Sequence, residues 1–396
     1  MHSPGERVTD QGVDEVGRRV SAVSERVYLD HAASSPLRAE ARAAMDEAWG
    51  QAGNPSSLHA SGRAARRILE ESRESIAAGL GARPGEVVFT SGGTEANNLV
   101  LLGALGARPE RPRLAIGGGD HPSVAEVAGR LPDRVDVFGL DPSGRLLPDL
   151  SAIGPQTALV SVLLVNNETG VVQSVDAVLA AAQRAGAWCH TDAVQAFGHL
   201  PLSFADLGVD ALTVTAHKIG GPVGIGALVL RRERTLAAPG FGGGQERKLR
   251  SGTAMTALAA GFAAAAGAAV AELDAESTRL AGLRARLVAG VIAVPDVVVN
   301  GDPPVSPAIL NVTFRGCRAD DLLLILDAAG IDCSTGSACT AGVHQPSDVL
   351  LAMGRSEADA SASLRFSLGR SSDAAAIDRV LTVLPEAVVR ARAAFQ

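Results

Sequence analysis

Seven short β-branched runs alternate with helical patterns through the middle of this 396-residue chain, and that alternation constrains its fold more than any other feature. The runs lie at 86–90, 113–116, 135–138, 158–165, 187–191, 211–215 and 225–230, and helical stretches at 94–106, 122–131 and 174–185 separate them. Parallel strands need crossovers long enough to hold a helix, so this order predicts an α/β domain with a mostly parallel seven-stranded sheet. Beyond residue 272 the pattern becomes helix, paired strands (297–300 and 308–314) and a final helix over 373–394, which predicts a smaller α+β domain. The expected organisation is a disordered leader over 1–26, a segment 27–37 packing with the small domain, a large domain over 38–272 and a small one over 273–396.

Composition narrows the classes of function. A net charge of −7 argues against nucleic acid as a main partner and suits a soluble cytoplasmic protein. Residues 1–26 mix acids and arginines without an apolar core, unlike a signal or transit peptide. The charge-free stretch 251–271 is long enough to span a bilayer, yet Ala and Gly dominate it, so a buried helix joining two domains is expected rather than a membrane segment. Four cysteines (Cys189, Cys317, Cys333, Cys339) are too few for a disulfide framework, and with no Cys-x-x-Cys or HExxH pair no metal site is expected.

The chemistry-bearing residues gather where strands are expected to end, the edge at which open α/β sheets bind ligands. Only two lysines occur, Lys218 and Lys248, although Lys+Arg totals 36. Arginine replaces lysine wherever plain positive charge suffices, but it cannot form a Schiff base, so Lys218 after the 211–215 run is a candidate covalent catalyst. A surviving surface lysine is the alternative. The turn Thr90-Ser91-Gly92-Gly93-Thr94 lets backbone N–H groups approach a phosphate, though it also reads as a helix cap. His121 follows another run, as do Asn166-Asn167-Glu168 and Asp192-Ala193-Val194-Gln195. An acid there can hold a pyridinium, amides can bond a phenolic oxygen, and Thr215 and His217 can reach a phosphate beside Lys218. A lysine, an acid and a phosphate cradle together describe a pyridoxal-phosphate site.

Further motifs occur in one order: Tyr28-Leu29-Asp30-His31-Ala32-Ala33, Gly53-Asn54-Pro55-Ser56-Ser57-Leu58-His59, Ser91 to Glu95, Asn166 to Glu168, Thr191 to Gln195, His217-Lys218, Arg250-Ser251-Gly252-Thr253, Ser337-Ala338-Cys339-Thr340 and Arg365-Phe366-Ser367-Leu368-Gly369. From about residue 27 onward the chain resembles the cysteine desulfurases of the NifS/IscS class, class V aminotransferase-like enzymes of pyridoxal-phosphate fold type I. The resemblance implies that Lys218 carries the cofactor and moves the Cα proton, that Asp192 pairs with the pyridine nitrogen and Gln195 with the ring oxygen, and that His121 stacks on the ring and assists protonation. Gly93, Thr94, Thr215 and His217 would bind the phosphate, with Thr253 reaching in from the second subunit of a homodimer. Asn167 and Arg365 would grip the substrate carboxylate.

The resemblance also implies the reaction. Cys339, in a run of small and polar residues able to move, would attack the sulfur of L-cysteine, carry it as a persulfide and leave L-alanine. A sulfur-acceptor or iron–sulfur scaffold protein would take it on, for iron–sulfur clusters, thio-cofactors or tRNA. The loop's length resembles the subgroup with a long, mobile cysteine loop. Cys189 and Cys317 read as buried hydrophobes, while Cys333 stays open between the two roles. Gly93 stands where alanine is usual and Ser34-Ser35 where Thr-Thr is common; His344 has no evident role, and Lys248 reads as structural or interfacial. Other class V enzymes (an aminotransferase, a selenocysteine lyase) or a non-catalytic assembly scaffold are the alternatives.

Overall fold

The protein is described here by a computed structural model covering residues 26–336 and 345–395. Its elements in chain order are β1 (Val27–Tyr28), α1 (Ala39–Trp49), α2 (Ala60–Gly79), β2 (Val87–Thr90), α3 (Gly93–Ala107), β3 (Arg113–Gly117), α4 (Pro122–Gly129), β4 (Val135–Phe138), β5 (Thr157–Leu163), α5 (Asp176–Ala185), β6 (Trp188–Asp192), α6 (Phe204–Leu207), β7 (Ala211–Thr215) and β8 (Gly226–Leu230). There follow α7 (Thr256–Val291), β9 (Val297–Asn300), β10 (Ile309–Phe314), α8 (Ala319–Ala328), β11 (Ile331–Asp332), α9 (Asp348–Ala352), α10 (Glu357–Ser361), β12 (Ser363–Ser367) and α11 (Ala374–Phe395).

Seven strands pair in the order β2-β8-β7-β6-β5-β3-β4, and only β8 runs antiparallel to its neighbours. The sheet is therefore mostly parallel, as the alternation predicts. Every residue of β5 is buried, which explains its near-continuous apolar sequence: helices cover both faces of such a sheet, so no polar alternation is needed. At the far edge, β4 has no outer neighbour and leaves Val137 61% exposed.

A second sheet, β12-β10-β9, is antiparallel and packs with α8 and α11 in its own apolar cluster around Phe314, Phe366 and Leu384. Val27 and Leu29 join this cluster, because β1 pairs in parallel with β11 and Asp30 bridges to Ser367. Helix α7 links the two cores. Ala259, Phe262 and Ala266 pack in the large-sheet cluster, whereas Leu280, Leu287 and Val291 pack in the second. Its alanine-rich first half lies against α1 and α2, where small side chains let helices approach closely. By length and composition this helix also suffices to cross a bilayer.

Several elements fall outside the sequence expectations, α1, α2, α8 and β12 among them. The 20-residue α2 alternates charged and apolar residues on a helical period, and β11 and β12 are short. Ser363-Leu364-Arg365-Phe366-Ser367 contains an arginine and two serines, yet all five residues are buried, because β10 pairs along its whole length. Long-range pairing, not local propensity, makes it a strand.

Candidate active site

Five loops leaving the carboxyl ends of β2, β3, β5, β6 and β7 converge on one cavity of about 390 Å³. It is lined by Gly93, Thr94, His121, Asn167, Asp192, Gln195, Thr215, His217, Lys218 and Arg365. Two further residues singled out in the sequence stand apart from these ten. Thr253 is exposed and does not line the cavity, and Cys339 lies outside the described residues, together with His344.

The phosphate-type cradle is built where β2 turns into α3. The first turn of α3 begins at Gly93, so its free N–H groups and positive dipole end meet Thr94, Thr215 and His217. Glycine is required at Gly226 on the adjoining β8, because a Cβ there would stand 2.8 Å from Gly92 Cα.

Lys218 lies in a 3₁₀ turn, His217–Ile219, directly after β7. The chain leaves the turn through Gly220 at φ +79, where a side chain would also strike Arg38. The Lys218 amine donates to the carbonyls of Ala32 and, at 2.8 Å, Ala33. Burial, aided by repulsion from Arg365, lowers its pKa to about 8. About a tenth of the amine is thus unprotonated at pH 7, against well under a hundredth for an ordinary lysine, and that is the form a carbonyl-condensing lysine needs. Burial likewise drops His217 to about 4, so it enters the cradle as a neutral donor or acceptor.

Asp192 is buried at the end of β6. One oxygen accepts the Val194 N–H at 2.9 Å and the other the Asn97 amide at 2.7 Å. Gln195 donates from Nε2 to the Ala32 carbonyl at 2.9 Å. His121 caps α4: its Nδ1 accepts from the Ser123 N–H at 3.1 Å and meets Ser123 Oγ at 2.9 Å. Burial lowers the pKa of His121.

Arg365 reaches the cavity from β12. Its Nη1 donates to the Asn167 carbonyl at 2.9 Å and its Nη2 to Asp30 at 2.7 Å, while Nε is buried and has no partner among the described residues. Asn167 therefore meets Arg365 through its backbone. Beside them Glu168 is buried and its pKa raised, and it accepts from Ser347 Oγ at 2.5 Å. Sequence reasoning gave no role to Asp30, Asn97, Ser123 or Glu168. Asp30 and Glu168 stand inside the ordered motifs; Asn97, one turn after Thr94 on a helix facing the sheet, carries the only local hint for the other pair.

Remaining candidates fall away from the chemistry. Cys189 is fully buried and its thiol is pushed up to about 12 by burial, as is Cys333, so neither supplies a thiolate near neutrality. Cys317 is buried against the small-sheet core. No cluster of metal-ligand type occurs among the described residues. Lys248 closes a turn in which Glu246, Arg247 and Lys248 all have positive φ, held by the buried Glu246 carboxylate, which pairs with Arg73 at 2.7 Å and accepts the Phe89 N–H at 2.9 Å.

The aminotransferase class-V family matches residues 27–380. An IscS-like cysteine desulfurase of Mycobacterium tuberculosis is 48% identical over 382 residues, covering 93% of this chain and 97% of its own. Among solved structures, a NifS-like protein superposes with a TM-score of 0.85 at 30% identity, covering 92% of this chain and 100% of that one. SspA in complex with cysteine gives 0.75 at 33% identity, over 86% and 98% of the two chains. This chain belongs to the aminotransferase class-V family, among its cysteine desulfurases of the NifS/IscS class.

Proposed function

We propose that the cavity is the pyridoxal-phosphate site of a cysteine desulfurase, which takes the sulfur of L-cysteine and leaves L-alanine. The observation that carries the reading is the convergence of a buried, pKa-depressed lysine, a buried carboxylate and a helix N-terminus on one 390 Å³ cavity. These residues fit the cofactor. Thr94, Thr215, His217 and the first turn of α3 suit its phosphate, Asp192 its ring nitrogen, Gln195 its ring oxygen, His121 its ring face and Lys218 its aldehyde carbon. When bound, it supplies an electron sink that weakens bonds at the substrate carbons.

The chain's own residues would do the rest. Arg365 would offer its guanidinium, and Asn167 its side chain, to the substrate carboxylate. Lys218, unprotonated, takes the Cα proton and returns it where the product needs one. The Cys339 thiolate attacks the substrate sulfur: an S–S bond forms, the Cβ–S bond breaks with its electron pair left on carbon, and that carbon takes a proton to give alanine. The persulfide then passes to an acceptor protein or thiol.

The finer organisation belongs to the same proposal. A homodimer would bring Thr253, exposed in one protomer, to the partner's cradle. The division at about residue 272 would let the small domain carry Arg365 and Cys339 against the large one, in a soluble, cytoplasmic enzyme.

The test is alanine and sulfide release from L-cysteine plus a thiol, alongside the visible spectrum, for wild type and Cys339→Ala. Alanine formed only by the wild type, with the cofactor's absorption band in both proteins, supports the reading. A Cys339→Ala protein that still desulfurates fully sinks the sulfur-transfer role while leaving a cofactor enzyme.

A further inference from the structure

Four side chains from three elements, all of them in the cavity lining, form one directed hydrogen-bond relay. Asn97 on α3 is 1% exposed, and its Nδ2 donates one N–H to Asp192 at 2.7 Å and the other to Ser123 Oγ at 2.8 Å. The reverse orientation of the amide would set its oxygen against the Asp192 carboxylate, so the donor assignment is fixed by charge. The Ser123 hydroxyl, already accepting from Asn97, sends its own proton to His121 Nδ1 at 2.9 Å, and the Ser123 backbone N–H donates to the same nitrogen. The Asn97 oxygen is left buried without a partner, a cost accepted only where the two N–H groups are needed in place.

We propose that Asn97 and Ser123 are positioning residues that hold His121 as the neutral tautomer with its proton on Nε2. With two donors aimed at Nδ1, the ring has no room for a proton there, and Nε2–H is the nitrogen left to act in the cavity. Asn97 and the Val194 N–H fix the position of the Asp192 carboxylate. The relay thereby ties the acid on one side of the cofactor site to the histidine on the other. The charges facing His121 are Asp192 from β6 and Lys218 from the turn after β7, with Glu168, His217 and Arg365 lining the same cavity. This inference rests on the proposed roles of His121 and Asp192 for its bearing on catalysis, but not for the tautomer itself.

The experiment is a pH titration of the ¹⁵N-histidine resonances of the cofactor-loaded enzyme, with His121 assigned by loss of its signals in His121→Gln. Wild type is expected to show the Nε2–H tautomer. Ser123→Ala should raise the His121 midpoint by roughly 0.5–1 pH unit, the size of one lost neutral hydrogen bond. Asn97→Ala should raise it at least as far, because the Ser123 hydroxyl is then free to turn and accept from the ring, and Ser123→Thr should restore the wild-type value. A wild-type Nδ1–H tautomer, or a midpoint unmoved in Ser123→Ala, overturns the relay. The wild-type tautomer is decisive even if Asn97→Ala fails to fold. A wild type that binds no cofactor overturns the functional reading instead, and its tautomer still tests the relay.

Discussion

Arg365 and Asp30, 335 residues apart in sequence, meet at 2.7 Å on the rim of the cavity, with the arginine side chain 5% exposed and the aspartate 23%. The pair bounds the site on the side of the second sheet, and among the described residues Nε is the guanidinium nitrogen without a partner. Asp30 thus orients a guanidinium that lines the cavity, and a lysine cannot reproduce that fork. Arg365→Lys is expected to lower kcat/KM for L-cysteine about 100-fold, mainly through KM, since a planar guanidinium held by Asp30 and the Asn167 carbonyl becomes a mobile point charge. Asp30→Ala is expected to cost about 3 kcal/mol of stability by leaving the buried guanidinium unpaired; steady-state kinetics and denaturant midpoints check the two.

Lys218 gives the apoprotein a pH signature. Its folded pKa of about 8 lies below the ordinary 10.5, so between those values the unfolded chain binds the extra proton. Stability is therefore reduced below pH 8 and recovers as pH rises toward 10.5, by about 3 kcal/mol at most for this group. Lys218→Met should be more stable than wild type at pH 7, with the difference shrinking by pH 10. An equal offset at both pH values in urea unfolding of the two apoproteins would contradict the depressed pKa.

The two lysines should separate cleanly in their effects. Lys218→Ala is expected to abolish alanine formation. Lys248 is exposed at φ +62, a conformation that glycine adopts without strain. Lys248→Gly should keep full activity and gain about 0.5–1 kcal/mol in stability, read from thermal unfolding. A loss of stability would show that the Lys248 side chain holds the turn.

Glu246 holds that turn from beneath. Its side chain is 4% exposed, paired with Arg73 at 10%, and it also accepts a main-chain N–H from β2. Glu246→Gln leaves the buried Arg73 guanidinium only the half-exposed Glu70 carboxylate as counter-charge, 3.1 Å from its Nε, and is expected to cost about 2 kcal/mol. Removing both partners together should cost less than the sum of the single losses, and a double-mutant cycle on unfolding free energies measures the difference.

Much of the site is legible in the sequence because each strand end is a local signal. A β-branched run followed by Gly, Asn, Asp or Lys marks where a parallel strand stops and a ligand edge begins, so Gly93, Thr94, His121, Asp192, Thr215 and Lys218 stand out from the residue order alone. Asn97 and Ser123 stand out less, since a polar residue in a helix carries no label for what it faces. Cys339 is legible from its motif alone and lies outside the described residues.

The sequence by itself determined the alternating α/β order, the helix-capped glycine turn after β2 and the lone lysine after β7, all set by side-chain periodicity and backbone sterics over a few residues. Only the tertiary structure decided that β8 runs antiparallel inside the sheet, that Ser363–Ser367 is a buried strand, and that Asp30 meets Arg365 and Asn97 meets Asp192. Those contacts join residues 95 to 335 positions apart. Their free energy comes from burial and charge pairing that exist only once the two cores have formed, so no local pattern encodes them.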